Sequence, residues 1–290
     1  MRALRDAGCG GVGNAGAPIP NSEVLRRAME YAASFGLTVH LHAEDHFLRN
    51  NGVVHEGAVS TRLGLPPVPV AAETVAVGRA LLLAEQTGAR LHLCRISAGR
   101  SVELIAAAKQ AGLPVSADVA ICNLILDETD VDGYRAACHL RPPLRAATDR
   151  AALRRGLRDG VLDAVCSDHQ PHDADAKSGP FPMTEPGAST IEALLPLVLE
   201  LVRAGELDLS RAVHALCAGP ARILGGEFGT LAPGAPGDVA VIDPEQRYRA
   251  DVATLRSSGR NTPFHGRELQ GKVRHTLFGG RSVFEGGTTG

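Results

Sequence analysis

The chain has 290 residues, with 30 Lys and Arg against 32 Asp and Glu, a formal net charge of −2. So even a balance supplies no general attraction for nucleic acid or an anionic membrane, and 3% aromatic residues with no Trp leave little for single-stranded bases to stack on. Hydrophobic residues at 44% and charged residues at 21% are ordinary globular proportions and exclude a disordered chain.

No apolar run approaches the roughly 18–20 residues that span a bilayer. The longest, 191–202, is interrupted by Glu192, Pro196 and Glu200 and predicts a buried helix. The N-terminal segment MRALRDAGCGG lacks the apolar centre of a secretory signal. Cys9, Cys94, Cys122, Cys138, Cys166 and Cys217 form no CxxC pair. Together these features predict a reduced, cytoplasmic protein without a disulfide framework.

In chain order, short apolar strands alternate with amphipathic helices. Residues 10–13 read as a weak strand, and Asn21 as the cap of a helix with apolar positions Val24, Leu25, Ala28, Met29 and Ala32, stopped by Gly36. Strands are predicted at 37–42, 90–96, 113–119 and 161–167, with a further one at 135–140. Helices are predicted at 72–86 and 100–111, and one starting at Thr148 ends near Gly160. Ser189 and Glu192 read as a capping box for a long helix, and Ser210 as the cap of one more. Six strands, mostly followed by helices, argue for a parallel α/β sheet or barrel, whose functional residues gather at the C-terminal strand ends. From about Gly225, Gly, Pro and β-branched residues dominate, and short β pieces are expected. The division is 1–224 for the barrel and 225–290 for a β appendage.

Three segments could carry chemistry. In His40-Leu41-His42-Ala43-Glu44-Asp45 the two histidines alternate along a strand and share a face, so two imidazoles could meet one metal. The alternative is one packed and one hydrogen-bonded histidine. Cys166-Ser167-Asp168-His169-Gln170-Pro171-His172 places an Asp where a buried strand ends, which suits a metal ligand, a proton shuttle or a turn cap. In the stretch 91–97, His92 and Cys94 share one face and Arg95 the other. The plain expectation there is a partly exposed histidine beside a core cysteine. P-loop, G-x-G-x-x-G and G-x-S-x-G motifs are absent from the sequence.

Taken together and in this order, the segments AGCGGVGNAGAPI, HLHAED, RLHLCRISAGRSVELIAAAKQAGLPVSADV, LRPPLR, VCSDHQPHD and the tail GTLAPGAPGDVAVIDP resemble the dihydroorotase branch of the amidohydrolase superfamily. The resemblance implies a (β/α)8 TIM-like barrel that here lacks its first strands, followed by the C-terminal half of a small composite β domain. It implies zinc at the strand ends and opening or closure of the dihydroorotate ring in pyrimidine biosynthesis.

By the same resemblance, His42 is the one ligand kept from the family's H-C-E-D strand, and Asp168 is the metal ligand and proton shuttle. His172, Arg141 and Gly187 fall at substrate-binding positions. Asn14 and Ala15 stand where a bridging carboxylate or carboxylated lysine is expected, and Arg95 where a ligand histidine is expected. His42 and Asp168 alone fall short of the three protein ligands a catalytic zinc usually takes, so His40 or His169 would have to substitute. The pattern resembles the dihydroorotase-like chains that accompany the catalytic chain of aspartate transcarbamoylase, which lose the metal and act as oligomeric assembly partners. Three readings stand: a metal-free partner of that enzyme, a zinc-dependent cyclic-amide hydrolase with a rearranged site, and a metal-free binder of a small carboxylate such as dihydroorotate through Arg95, Arg141 and His172. The plain reading of those arginines is ion pairing with Glu44, Asp45 or Asp118.

Overall fold

The computed structural model describes residues 1–286. Its elements in chain order are α1 (Arg2–Asp6), β1 (Gly11–Gly13), α2 (Ser22–Ala33), β2 (Thr38–Leu41), α3 (His46–Arg49), β3 (Val54–His55), α4 (Ala58–Leu63), β4 (Pro67–Val68), α5 (Ala71–Thr87), β5 (Leu91–Leu93) and α6 (Gly99–Gln110). Then follow β6 (Val115–Ala120), α7 (Ile121–Ile125), α8 (Ala147–Arg158), β7 (Ala164–Cys166), α9 (Leu194–Arg203), α10 (Leu209–Leu216), α11 (Ala218–Leu224), β8 (Val239–Arg249), β9 (Glu268–Phe278) and β10 (Arg281–Glu285).

Five strands make one sheet in the order β1-β2-β5-β6-β7, and every pair in it is parallel. A parallel pair needs a long crossover, here always helical, and the helices bury the sheet's outer face. Helices α2 and α5 show why these segments are helical. Asn21 accepts hydrogen bonds from the amides of Glu23 (2.9 Å) and Val24 (3.3 Å), closing the first turn of α2. Leu25, Met29 and Ala32 then fall on one buried face. In α5 the residues Ala72, Ala76, Ala80 and Ala84 recur every fourth position and are buried, and such small side chains let neighbouring helices approach closely. Gly88 ends α5 at φ +68°, a conformation that costs a glycine little.

The tail is a separate antiparallel sheet in the order β10-β9-β8. Strand β9 packs against α9, with Leu269 and the nearby Phe264 buried.

Several sequence expectations are corrected. The segment 135–140 is not a strand: Ala136–Cys138 forms one turn of 3-10 helix, so the sheet has five strands rather than six. Thr148 does not cap α8, which begins after Ala146 without a side-chain cap. Ser189 and Glu192 do not form a capping box. The Ser189 hydroxyl donates to Gly259 O (2.7 Å), and Glu192 accepts from the amides of Arg256 and Ser257. The cap of α10 is Asp208, not Ser210. For Ser189 and Glu192 tertiary partners outcompete the local bond, and for α10 a nearer carboxylate does.

Candidate functional site

The parallel register aligns the strand ends. His40 lies opposite Gly13 on one side and His92 on the other, and Leu93 lies opposite Ala117. Residues just past those ends, from β1, β2, β5 and β7, therefore converge. They line a cavity of about 400 Å³ that includes Ala15, His42, Arg95, Arg141, Gln170 and Pro186.

Asn14 clamps the first wall. Its amide oxygen accepts from His42 N (3.0 Å), and its amide nitrogen donates to His42 O (3.1 Å) and Ala17 O (2.8 Å). The side chain thus continues the β1–β2 ladder beyond Gly13. Three residues other than glycine take left-handed backbone here: Ala15 (φ +48°), Arg95 (φ +57°) and Asp168 (φ +46°). Conformations of this kind cost free energy and persist where the surroundings over-determine them.

Two ion pairs dominate the electrostatics. Arg95 Nη1 donates to Asp168 Oδ1 at 2.9 Å, and Gln170 Nε2 donates to the same oxygen at 2.9 Å. Burial opposes the charge on Arg95, but Asp168 overcomes it and holds the guanidinium even more firmly protonated than usual. Arg141 grips Glu44 with two nitrogens, Nη2 to Oε1 at 2.6 Å and Nε to Oε2 at 3.3 Å. Burial raises the Glu44 pKa, yet His42 and Arg141 beside it bring the carboxyl down to about 2. His42 itself is buried, and neither ring nitrogen has a hydrogen-bond partner. Its Nε2 lies 3.8 Å from Glu44 Oε2, an electrostatic contact too long for a hydrogen bond.

This donor set does not fit the zinc that the family implies. The orphaned nitrogens of His42 could ligate, but Asp168 is already held by Arg95, and a second guanidinium, Arg141, lines the same cavity. A dication about 5 Å from one guanidinium is repelled by roughly 7 kcal/mol at an effective dielectric near 20. The proposed substitutes do not complete the set. Among the described residues, the group that brings three ligand atoms within 4.8 Å of one another is His40, His92 and Cys94, which excludes both His42 and Asp168. His169 faces elsewhere, its Nδ1 accepting from Thr190 N at 3.1 Å.

The substrate-position residues are likewise committed. His172 Nε2 contacts Pro186 O at 3.0 Å, and its backbone amide donates to Asn261 Oδ1 at 2.9 Å. Gly187 has φ +133°, and a Cβ there would sit 2.6 Å from Gln170 Cβ and 3.0 Å from His172 Nε2. Asn261 Nδ2 donates to Gly187 O (3.1 Å) and Gln170 O (3.0 Å). Asn261 was not singled out from the sequence. Nothing local marks it, because its partners lie 74 and 91 positions away. Of the carboxylates expected to pair the arginines, Glu44 does so. Asp118 takes the Arg95 backbone amide (2.8 Å), and Asp45 caps α3. His92 is buried rather than partly exposed.

A second cavity, about 520 Å³, lies between the start of α9 and the antiparallel sheet. His169 and Ser257 meet in it at 3.3 Å. Because His169 Nδ1 accepts backbone amides, Nε2 carries the proton and cannot take one from the serine. The pair is not a nucleophile and its base.

The fold agrees with the comparisons to known proteins. The sequence profile of the amidohydrolase family matches residues 5–283, and the chain belongs to that family. It is 47% identical over 278 residues to a dihydroorotase-like protein of Pseudomonas putida, covering 96% of this chain and 65% of that protein. It is 46% identical over 286 residues to a dihydroorotase of Anaeromyxobacter dehalogenans, covering 98% and 66%. The chain therefore spans about two thirds of the length of these relatives. Among solved structures, the dihydropyrimidinase of Brevibacillus agri superposes with a TM-score of 0.86 at 24% identity, covering 98% of this chain and 65% of that one. The L-hydantoinase of Arthrobacter aurescens does so with 0.86 at 26% identity, covering 98% and 66%. No helix among the described residues is long and apolar enough to cross a membrane.

Proposed function

We propose that this chain is a dihydroorotase-family protein of pyrimidine biosynthesis that has lost metal-dependent ring hydrolysis and serves as an assembly partner of the catalytic chain of aspartate transcarbamoylase. The loss of hydrolysis rests on one observation above all. Arg95 stands at the position of a family ligand, with its guanidinium on Asp168, the residue that would move the proton. Arg95 and Gln170 both donate to the same Asp168 oxygen, Oδ1, which is thereby occupied rather than open to a substrate proton. The partner role rests on the resemblance and on a parallel sheet and helices of the family's kind kept around a changed site.

The test is dihydroorotate ring opening, and the reverse closure of carbamoyl aspartate, by the full chain with added zinc. Rates no higher than those of Asp168→Asn are expected, and turnover above that level overturns the loss of hydrolysis. Co-expression with the aspartate transcarbamoylase catalytic chain should give one co-eluting complex. Independent elution of the two chains overturns the partner role.

The unpartnered ring of His42 favours a second reading. In it a rearranged site of His40, His42 and Asp168, with His169 as a further candidate, would serve a zinc-dependent cyclic-amide hydrolase. Zinc-dependent turnover in the same assay, abolished by His42→Ala, is the result that selects it.

A further inference from the structure

Deeper in the sheet than the strand-end cavity lies a cluster that the proposed function does not use. His40 on β2 and His92 on β5 face each other across the strand pair, with ring centroids 5.1 Å apart. Cys94 lies two residues beyond His92 on the same face. One ligand atom from each of the three falls within 4.8 Å of the others. We propose that His40, His92 and Cys94 form a binding site for a borderline-soft divalent metal, zinc(II) by preference, distinct from the strand-end position implied by the family.

Four features of the chain support the site. First, the donors match the ion. Two imidazoles and a thiolate are a zinc set, with a fourth position left for water or another ligand. Second, His92 is already oriented as metal-bound histidines are. Its ring is fixed by two side chains of β6, Nδ1 lying 2.9 Å from the Ser116 hydroxyl and Nε2 2.8 Å from Asp118 Oδ2, so binding the ion through one nitrogen gives up one contact while the other keeps the ring oriented. Third, the charges balance. The Cys94 thiolate and the Asp118 carboxylate together offset a dication, and Asp118 is itself held by the Arg95 amide at 2.8 Å. Fourth, among the described residues no hydrogen bond competes for the His40 ring, which packs on Gly11, where a Cβ would stand 2.6 Å from Cδ2 and 2.7 Å from Nε2. Tetrahedral zinc, with nitrogen near 2.1 Å and sulfur near 2.3 Å, sets its ligand atoms roughly 3.5 Å apart, so closure on the ion asks for about 1 Å of side-chain movement. Binding replaces the Cys94 S–H bond by an S–metal bond and releases that proton to solvent.

Cobalt(II) titration of the chelator-treated full chain, followed by absorption, tests the site. One equivalent should give the visible bands of tetrahedral cobalt and a near-ultraviolet thiolate-to-cobalt charge-transfer band. Cys94→Ser should abolish the charge-transfer band with the far-ultraviolet dichroism unchanged. His40→Gln should weaken cobalt binding at least tenfold, and it serves as the readout should Cys94→Ser misfold. His42→Ala and Asp168→Asn should leave the spectrum as it is. A wild-type titration without the thiolate band, a band that survives Cys94→Ser, or a band lost in His42→Ala overturns the site. The result is separable from the proposed function, which stands or falls on dihydroorotate turnover and complex formation rather than on the cobalt spectrum.

Discussion

At the residue scale, the strand-end cavity is governed by two guanidiniums in positions where the family resemblance implies a histidine and an asparagine. Arg95→Ala removes the principal partner of Asp168, a carboxylate that is 17% exposed. Its left-handed backbone then lacks the contact that helps hold it. A loss of about 1–2 kcal/mol is expected from urea denaturation, below the cost of breaking a fully buried pair because water still reaches the site. Glu44 gives a pH prediction. Its ordinary pKa of 4.5 falls to about 2 in the folded chain, so its contribution, about 3 kcal/mol, is fully present above pH 4.5 and is lost as the pH falls through about 2. Glu44→Gln should therefore be less stable than wild type at neutral pH, with the gap closing across that window in acid-unfolding curves. At this scale the sequence located His42, Asp168, Arg95 and Arg141. It offered Glu44 among the carboxylates that could pair the arginines, and Arg141 takes it from 97 positions away, but it could not say that Arg95 pairs with Asp168, 73 positions away, because side-chain pairing across strand ends depends on register.

At the scale of elements, a single buried aspartate ties the end of the sheet to its helices. Asp163 Oδ2 accepts from Lys109 Nζ (2.7 Å) at the end of α6 and from Ala117 N (2.9 Å) on β6, while Oδ1 accepts from Arg222 Nη2 (3.0 Å) on α11. Asp163→Ala leaves the buried Ala117 amide without a partner and takes the carboxylate from Lys109 and Arg222, and should cost about 2–4 kcal/mol in urea denaturation. Gly219 on α11 is the complementary case. A Cβ there would sit 2.3 Å from Asp163 O, a backbone atom that cannot turn aside. Gly219→Ala should lower the thermal midpoint by an amount corresponding to about 2 kcal/mol or more. Helices α2, α5 and α6 were legible within two residues from their apolar spacing and from glycines at their ends. The caps of α8, α9 and α10 were not: α8 has no side-chain cap, Ser189 and Glu192 before α9 are taken by tertiary partners, and Asp208 rather than Ser210 caps α10.

At the scale of the whole molecule, the five-stranded sheet is open among the described residues, with β1 and β7 each hydrogen-bonded to one neighbouring strand. Edge strands exchange amide hydrogens faster than central ones because fewer bonds must open with them. Hydrogen exchange should therefore be slowest at Leu91–Leu93 of β5, fully buried and paired on both sides, and faster at Gly11–Gly13 of β1. Equal protection of the two strands would show that a further segment or chain covers β1.

The sequence by itself determined the alternation of strand and helix, the change of texture near residue 225 and the ordered motifs that carry the family. These rest on periodicities of two and 3.6 residues and on local backbone preferences, which act over a few neighbours. Only the tertiary structure decided which donors meet. Alternation along one strand puts His40 and His42 on the same face, yet they serve different surroundings: His42 joins the arginines at the rim, and His40 joins His92 and Cys94 below it. That division is set by the register of β2 against β5 and by the space left at Gly11, and neither is a property of any short stretch of chain.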